Sequence, residues 1–196
     1  MKKIAVTGAI ASGKTTVCEL LRGLGAFVVH ADAIGHELLS PSTELGKKVI
    51  AHFGQSVLKQ GKIDRKTLAN LAFHDAASLR WLEQLLHPAI LHRIDELYEE
   101  ARCSGAYKAF VVEIPLLYEI GQEMYYDLVV AVIADESTCR ERFLKAGFSA
   151  DEYERRMSRQ LPSEKKAQLA DVVLYNNQTL DHLKTEVVKL NEKICA

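Results

Sequence analysis

Five short stretches of the chain read as strands whose apolar positions are consecutive rather than alternate: residues 2–7 (apolar at 4–6), 26–31, 110–114, 128–133 and 172–175. Short continuous runs of this kind suit strands buried on both faces, as in a parallel sheet covered by helices on each side. Helical spacing follows several of them. Residues 15–21 read as the first turns of a helix ending at Gly23 or Gly25, and residues 33–39 as a turn or two of helix after Asp32, closed by Ser40-Pro41. Asp135-Glu136-Ser137 opens a helix with acids at its N-terminus, and residues 179–194 carry Leu180, Leu183, Val187 and Leu190 on one face. Alternating strands and helices predict an α/β fold with right-handed crossovers. All strand C-termini then share one edge, where a ligand crevice is expected.

Residues 42–104 break this alternation, because they contain no good strand pattern. Residues 44–53, 65–74 and 89–102 read as helices, residues 54–61 as a loop, and Gln60-Gly61-Lys62 as a turn. Helical spacing continues through Leu79, Leu82, Leu85 and Leu86 to His87-Pro88, a predicted kink or restart, since Pro88 has no N–H to donate. This block is far longer than an ordinary crossover. It reads as a helical subdomain inserted in an α/β frame, of the kind that often carries a second substrate.

Composition narrows the class without naming a chemistry. The 196 residues are 48% hydrophobic and 26% charged with a net charge of −1, so one soluble domain with an inserted subdomain is expected, and no global attraction to nucleic acid or anionic membrane. Cys18, Cys103, Cys139 and Cys195 form no C-x-x-C and have no zinc-ligand spacing. They read as core cysteines in a reducing compartment. The first apolar run is too short for a signal peptide, and none approaches the roughly 20 residues of a membrane span. A cytoplasmic location is therefore expected.

The chemistry is concentrated at strand ends. Residues 8–15, Gly8-Ala9-Ile10-Ala11-Ser12-Gly13-Lys14-Thr15, fit G-x-x-x-x-G-K-[ST] between a strand and a helix, the context a phosphate-binding P-loop needs. Gly8 and Gly13 allow a backbone curl that points N–H groups inward, and the helix N-terminus adds positive potential. Lys14 is expected to reach the β- and γ-phosphates, and the Thr15 hydroxyl to ligate Mg²⁺. Asp32 ends the second run; it is either a base toward an acceptor hydroxyl or a helix N-cap. Glu113 ends the third run, as a Walker-B-like metal carboxylate or a structural acid. Arg140 and the charged segment 149–166, with Arg155, Arg156, Arg159, Gln160, Lys165 and Lys166, read as a closing lid or a solvated face. Asn176 follows the last run, where a turn could hold adenine. His87 reads as a structural group or a ligand contact. The histidines show no metal-ligand clustering, and the chain has neither N-K-x-D nor D-x-x-G, which argues against a GTPase.

Together these motifs resemble the dephospho-coenzyme A kinase family over nearly the whole chain. The resemblance rests on residues 7–16, Ala31-Asp32 with Ile34, Leu85-Leu86-His87-Pro88 with Ile90, Ile114-Pro115-Leu116-Leu117-Tyr118-Glu119, Arg156 with Gln160, and Ala170-Asp171 leading to Asn176-Asn177. It implies a P-loop kinase with a five-stranded parallel sheet flanked by helices, plus a helical substrate-binding insert and a lid. The implied nucleotide-binding core is residues 1–35, 106–138 and 168–196, the CoA-binding subdomain 36–105 and the lid 139–167. The implied reaction moves the γ-phosphate of ATP to the ribose 3′-hydroxyl of dephospho-CoA, with Mg²⁺. Asp32 would be the base, with Lys14 and Arg140 stabilising the transferring group. Ala11, Ser12, Gly13, Lys14, Thr15, Thr16 and Asn176 would hold ATP; Thr15 and Glu113 the metal; His87, Pro88 and Leu116 the acceptor. The partners are then small molecules alone, with the oligomeric state open. The chain departs from the family pattern at His30, where an acid is usual, at Glu113, where Asp is usual, and at Gln178, where Gly is common. A kinase for another small acceptor and a nucleotide-dependent switch are the competing readings.

Overall fold

In the computed structural model, which describes residues 1–195, the five apolar runs form one parallel sheet. Ala196, the last residue of the expected core segment 168–196, lies outside the described residues. In chain order the elements are β1 (Lys2–Gly8), α1 (Lys14–Gly23), β2 (Ala26–His30), α2 (Ala31–Leu38), α3 (Glu44–Phe53), β3 (Leu58–Lys59), β4 (Lys62–Ile63), α4 (Arg65–His74), α5 (Ala76–Ser104), β5 (Ala109–Glu113), β6 (Leu128–Ile133), α6 (Glu136–Lys145), α7 (Ala150–Met157), α8 (Ser163–Leu169), β7 (Val172–Tyr175) and α9 (Leu180–Cys195). The sheet order is β2-β5-β1-β6-β7, with β1 in the middle. Ile4 lies opposite Val111 on one side and Leu128 on the other.

The sheet belongs to a unit made of residues 1–30 and 98 onward. One of its faces is closed by α1 and α9: Ile4, Val6, Val111, Val130 and Val132 pack against Val17, Cys18, Leu21, Leu183, Val187 and Leu190 in one buried cluster. Alternate residues point the other way, so Ala5, Thr7, Phe110 and Val112 are buried on the opposite face. There the Tyr98 ring meets Phe110 edge-on at 5.3 Å. Each fully buried Val, Leu or Ile contributes about 1.5–3 kcal/mol. Burial on both faces explains why these strands read as unbroken apolar runs.

Residues 31–97 form a second compact unit, nearly all helical. Its core joins Leu39, Val49, Val57 and Leu68 with Phe53, Trp81, Leu82, Leu85 and Leu86. Thr43 caps α3 by accepting from the Gly46 N–H, and Asp64 caps α4 by accepting from the Thr67 N–H.

Three expectations change. The block is not strandless: Leu58–Lys59 pairs with Lys62–Ile63 around Gln60 and Gly61, both at positive φ. His87-Pro88 does not restart a helix, because α5 runs through Pro88 from Ala76–Ser104. Pro88 and Gln84, whose carbonyl Pro88 cannot pair, are both exposed residues. The second strand ends at His30, and Ala31 is already helical.

Candidate active site

The loop between β1 and α1 is shaped by two glycines and one strained alanine. Gly8 has φ +145°, and a Cβ there would lie 2.1 Å from the Val132 carbonyl oxygen. Gly13 has φ +103°, and a Cβ there would lie 2.2 Å from Nδ2 of Asn176. Ala11 sits at φ +56°, a left-handed conformation that costs an L-residue about 1–2 kcal/mol. The Ser12 N–H closes the turn on the Ala9 carbonyl at 3.2 Å. The same carbonyl accepts from Lys14 Nζ at 2.8 Å, and Lys14 is only 6% exposed. A helix start in general presents peptide N–H groups that the helix itself does not satisfy. A curled loop ahead of a helix N-terminus is an anion site.

Thr15 and Glu113 meet beneath this loop. The Thr15 hydroxyl lies 3.0 and 3.1 Å from the two Glu113 carboxylate oxygens. Two hard oxygen donors beside a phosphate site fit a small divalent cation that takes its remaining ligands from phosphate and water. Among the described residues no cluster of three or more His, Cys, Asp or Glu forms an all-protein metal site. His30 lies opposite Glu113 in the β2–β5 register. Its Nδ1 is 2.7 Å from Glu113 Oε2, and its Nε2 is 3.5 Å from Glu19 Oε1. Glu19 in turn pairs with Arg22 at 2.6 Å. The histidine that stands where the family usually has an acid thus accompanies the Glu113 carboxylate.

Asn176 forms the back wall. Its Nδ2 donates to the Ser12 carbonyl at 2.8 Å, and its backbone N–H to the Ile133 carbonyl at 2.7 Å. The side chain is thus committed to the P-loop backbone. Arg142, absent from the expected site residues, donates from Nη2 to the Asn176 carbonyl at 3.1 Å. Arg140, two residues earlier, is about half exposed, with Nε 3.7 Å from Glu154 of α7. The Asp135 N–H donates to Asn177 Oδ1 and the Asn177 amide donates back to Asp135, both at 2.8 Å.

The charged segment is tied down at its C-terminal end. Gln160 Oε1 accepts from the Ile10 N–H at 3.1 Å. The Leu161 N–H donates to Glu119 at 2.7 Å. Lys166, with no side-chain exposure, donates to the same carboxylate at 2.9 Å and to the Pro115 carbonyl at 2.7 Å. Burial lowers the Lys166 pKa, and Glu119 works against that shift. Tyr153 and Met157 of α7 pack with Phe143, Ile10 and Ala11. The Arg156 guanidinium pairs with Glu152 and lies 5.5 and 5.2 Å from the Phe143 and Phe148 ring centres.

The remaining expected residues are distributed as follows. Asp32 is the second residue of α2, exposed, and takes part in no hydrogen bond or ion pair among the described residues. It is not the N-cap of that helix. One turn on, His36 contacts Arg65, and burial and that guanidinium lower the His36 pKa. His87 is partly buried and Pro88 exposed, both within α5. Leu116, partly buried, lies in the loop after β5. The structure therefore gathers the P-loop, Thr15, Glu113 and Asn176 in the sheet unit, while Asp32, His87 and Pro88 belong to the helical unit.

Comparison with known proteins gives consistent matches. Residues 2–182 match the family model described as Dephospho-CoA kinase. A dephospho-CoA kinase of Chlamydia pneumoniae is 40% identical over 186 residues, covering 94% of this chain and 92% of that protein. A structure titled dephospho-CoA kinase from Campylobacter jejuni superposes with a TM-score of 0.73 at 28% identity, covering 98% and 96% of the two chains. The structure of TT1252 from Thermus thermophilus gives 0.80 at 30% identity, covering 98% and 97%.

Proposed function

The chain belongs to the dephospho-CoA kinase family, and from that premise we propose that it transfers the γ-phosphoryl group of ATP to the ribose 3′-hydroxyl of dephospho-CoA, giving coenzyme A and ADP. The observation that carries the donor half is the contact of the Thr15 hydroxyl with both Glu113 oxygens beside the P-loop.

The backbone N–H groups of residues 11–16 and the α1 N-terminus hold the phosphates. The Lys14 ammonium rests on the neutral Ala9 carbonyl. Phosphate oxygens are stronger acceptors for it, because a full negative charge at hydrogen-bond distance adds Coulombic attraction that a neutral carbonyl lacks. Thr15 and Glu113 would hold Mg²⁺, which when bound supplies positive charge to the β- and γ-phosphate oxygens. Asn176 supports the ATP site through Ser12. Asp32 accepts the proton of the 3′-hydroxyl; it is exposed and, among the described residues, has no hydrogen bond to break first. Arg140 adds charge to the transferring group. Leaving Glu154 costs it little, since an exposed pair contributes about 0–1 kcal/mol. His87, Pro88 and Leu116 contribute to the acceptor site, residues 36–105 act as the CoA-binding subdomain, and residues 139–167 as the lid. Both substrates are soluble metabolites, which fits work in the cytoplasm, and no described helix is long and apolar enough to cross a membrane.

The test is ADP release with a panel of acceptors. Dephospho-CoA is turned over, its 3′-deoxy analogue and nucleoside monophosphates are not. Turnover of a monophosphate without turnover of dephospho-CoA defeats the reading. Asp32→Asn retains ADP affinity and loses at least about 100-fold in kcat, the scale of general base catalysis; near-normal kcat removes Asp32 as the base.

A further inference from the structure

One peptide unit of the P-loop is gripped at both ends. A trans peptide points its N–H and its C=O in opposite directions. In the unit joining Ala9 to Ile10, the C=O receives the Lys14 ammonium at 2.8 Å and the Ser12 N–H at 3.2 Å. The N–H of the same unit donates to Gln160 Oε1 at 3.1 Å. If this peptide rotated, both inward bonds would be lost together. The following residue, Ala11, is held at φ +56°, a conformation that persists only where the surroundings over-determine it. Gln160 is the side chain that holds the outward end.

Gln160 is itself placed by a rigid neighbourhood. Its own N–H donates to the Met157 carbonyl at 2.9 Å. The next residue is bound to Glu119, which is bound to the fully buried Lys166. Tyr153 belongs to the buried cluster on which Met157, Ile10 and Ala11 all pack.

We propose that Gln160 is a positioning residue for nucleotide binding, which fixes the Ala9–Ile10 peptide and so sets the resting place of the Lys14 ammonium and the curl of the phosphate loop. The segment carrying α7 and α8 thereby acts on the loop through its backbone rather than only by adding cations. The inference rests on the P-loop as the nucleotide site and is independent of which hydroxyl is phosphorylated.

Three measurements on the full-length protein test it. In the wild type, amide exchange at Ile10 is protected relative to exposed loop amides; exchange as fast as theirs overturns the proposal. In Gln160→Met, which keeps the length and removes the acceptor, Ile10 exchange accelerates. ADP affinity and the KM for ATP weaken by about tenfold, equivalent to about 1.4 kcal/mol, while the KM for dephospho-CoA is unchanged. Gln160→Glu keeps an acceptor and therefore keeps Ile10 protection. Unchanged ADP affinity in Gln160→Met overturns the proposal, as does equal weakening toward both substrates with only a lowered melting temperature. Wild-type protein that binds no ADP would instead remove the P-loop reading on which the proposal stands. If Gln160→Met does not fold, the wild-type exchange and the Gln160→Glu comparison still decide.

Discussion

Replacing Gly13 by alanine tests the P-loop architecture most directly, because two separate costs can be worked out. The first is conformational: φ at Gly13 is +103°, and an L-residue held there costs about 1–3 kcal/mol. The second is steric. The new Cβ would lie 2.2 Å from Asn176 Nδ2, whose bond to the buried Ser12 carbonyl is 2.8 Å long. Asn176 must swing away, and a buried acceptor left unpaired costs about 1–3 kcal/mol. Together these remove about 2–6 kcal/mol, which at roughly 2–4 °C per kcal/mol lowers the melting temperature by about 4–24 °C. Gly25→Ala is the control. It has φ +97°, and its nearest non-neighbouring atom is Lys108 Cδ at 3.9 Å, so only the conformational cost applies. Denaturant unfolding of both variants, followed by near-ultraviolet circular dichroism, measures the difference. Asn176→Ala added to Gly13→Ala removes the clashing partner. The double variant should then lose at least about 1 kcal/mol less than the sum of the singles, well beyond the scatter of additive sites. If Gly13→Ala is no worse than Gly25→Ala and the cycle is additive, the Asn176 brace is not what shapes the loop.

Three further outcomes are expected. Asp64, held down to about 2 by bonds from Thr67 and Lys59, contributes stability that is complete above an ordinary carboxylate pKa near 3.9 and is lost as the pH falls toward 2. Asp64→Asn should remove that acid dependence from urea midpoints measured between pH 5 and pH 2.5; an unchanged acid profile would mean the cap does not carry it. Lys166→Met alone leaves the largely covered Glu119, 14% exposed, without its ammonium partner and should cost about 3 kcal/mol, whereas Lys166→Met with Glu119→Gln should cost much less than the two singles together; additive denaturation energies would refute the pairing. Pro88→Ala gives α5 back one donor on an exposed face and should raise stability by about 1–3 kcal/mol by thermal melting, and a loss would mean that α5 is built around the ring.

The sequence pattern located the sheet well because the inner strands β1, β5 and β6 are covered on both faces and the edge strands β2 and β7 in part, which leaves runs of consecutive apolar residues. Observed strand ends differ from the expected ones by at most a residue or so, as at His30 and Ala109. The hairpin at residues 58–63 escaped notice because two residues per strand carry no periodicity; only the Gln60-Gly61 turn was visible. Pro88 misled in the other direction, since the proline rule is local while the apolar stripe of α5 continues on both sides of it. In the site, the P-loop was legible as a motif, and Glu113 as a strand-end acid on its edge. Its pairing with His30 was not, because it depends on β2 and β5 being neighbours in register. Arg140 and Arg142 lie two apart on one helix and so face different ways, and spacing alone does not say which turns inward. Gln160 stood out only as a polar residue in a basic run, because its partner Ile10 is far away along the chain.

The central place of β1 also governs how this chain is made. Its two neighbours are β5 and β6, so Lys2 has no ladder partner until Ala109 has been synthesised, and Ile4 waits for Leu128 on its other side. At about 5–20 residues per second the wait lasts about 5–20 seconds. During that time the apolar Ile4-Ala5-Val6 run is exposed, while the whole of residues 31–97 can already form. The two lysines at its head, Lys2 and Lys3, are the kind of charged flank that discourages such a strand from pairing with another nascent chain. A ribosome-bound chain halted before β5 should therefore yield a protease-resistant helical unit and a protease-sensitive phosphate loop.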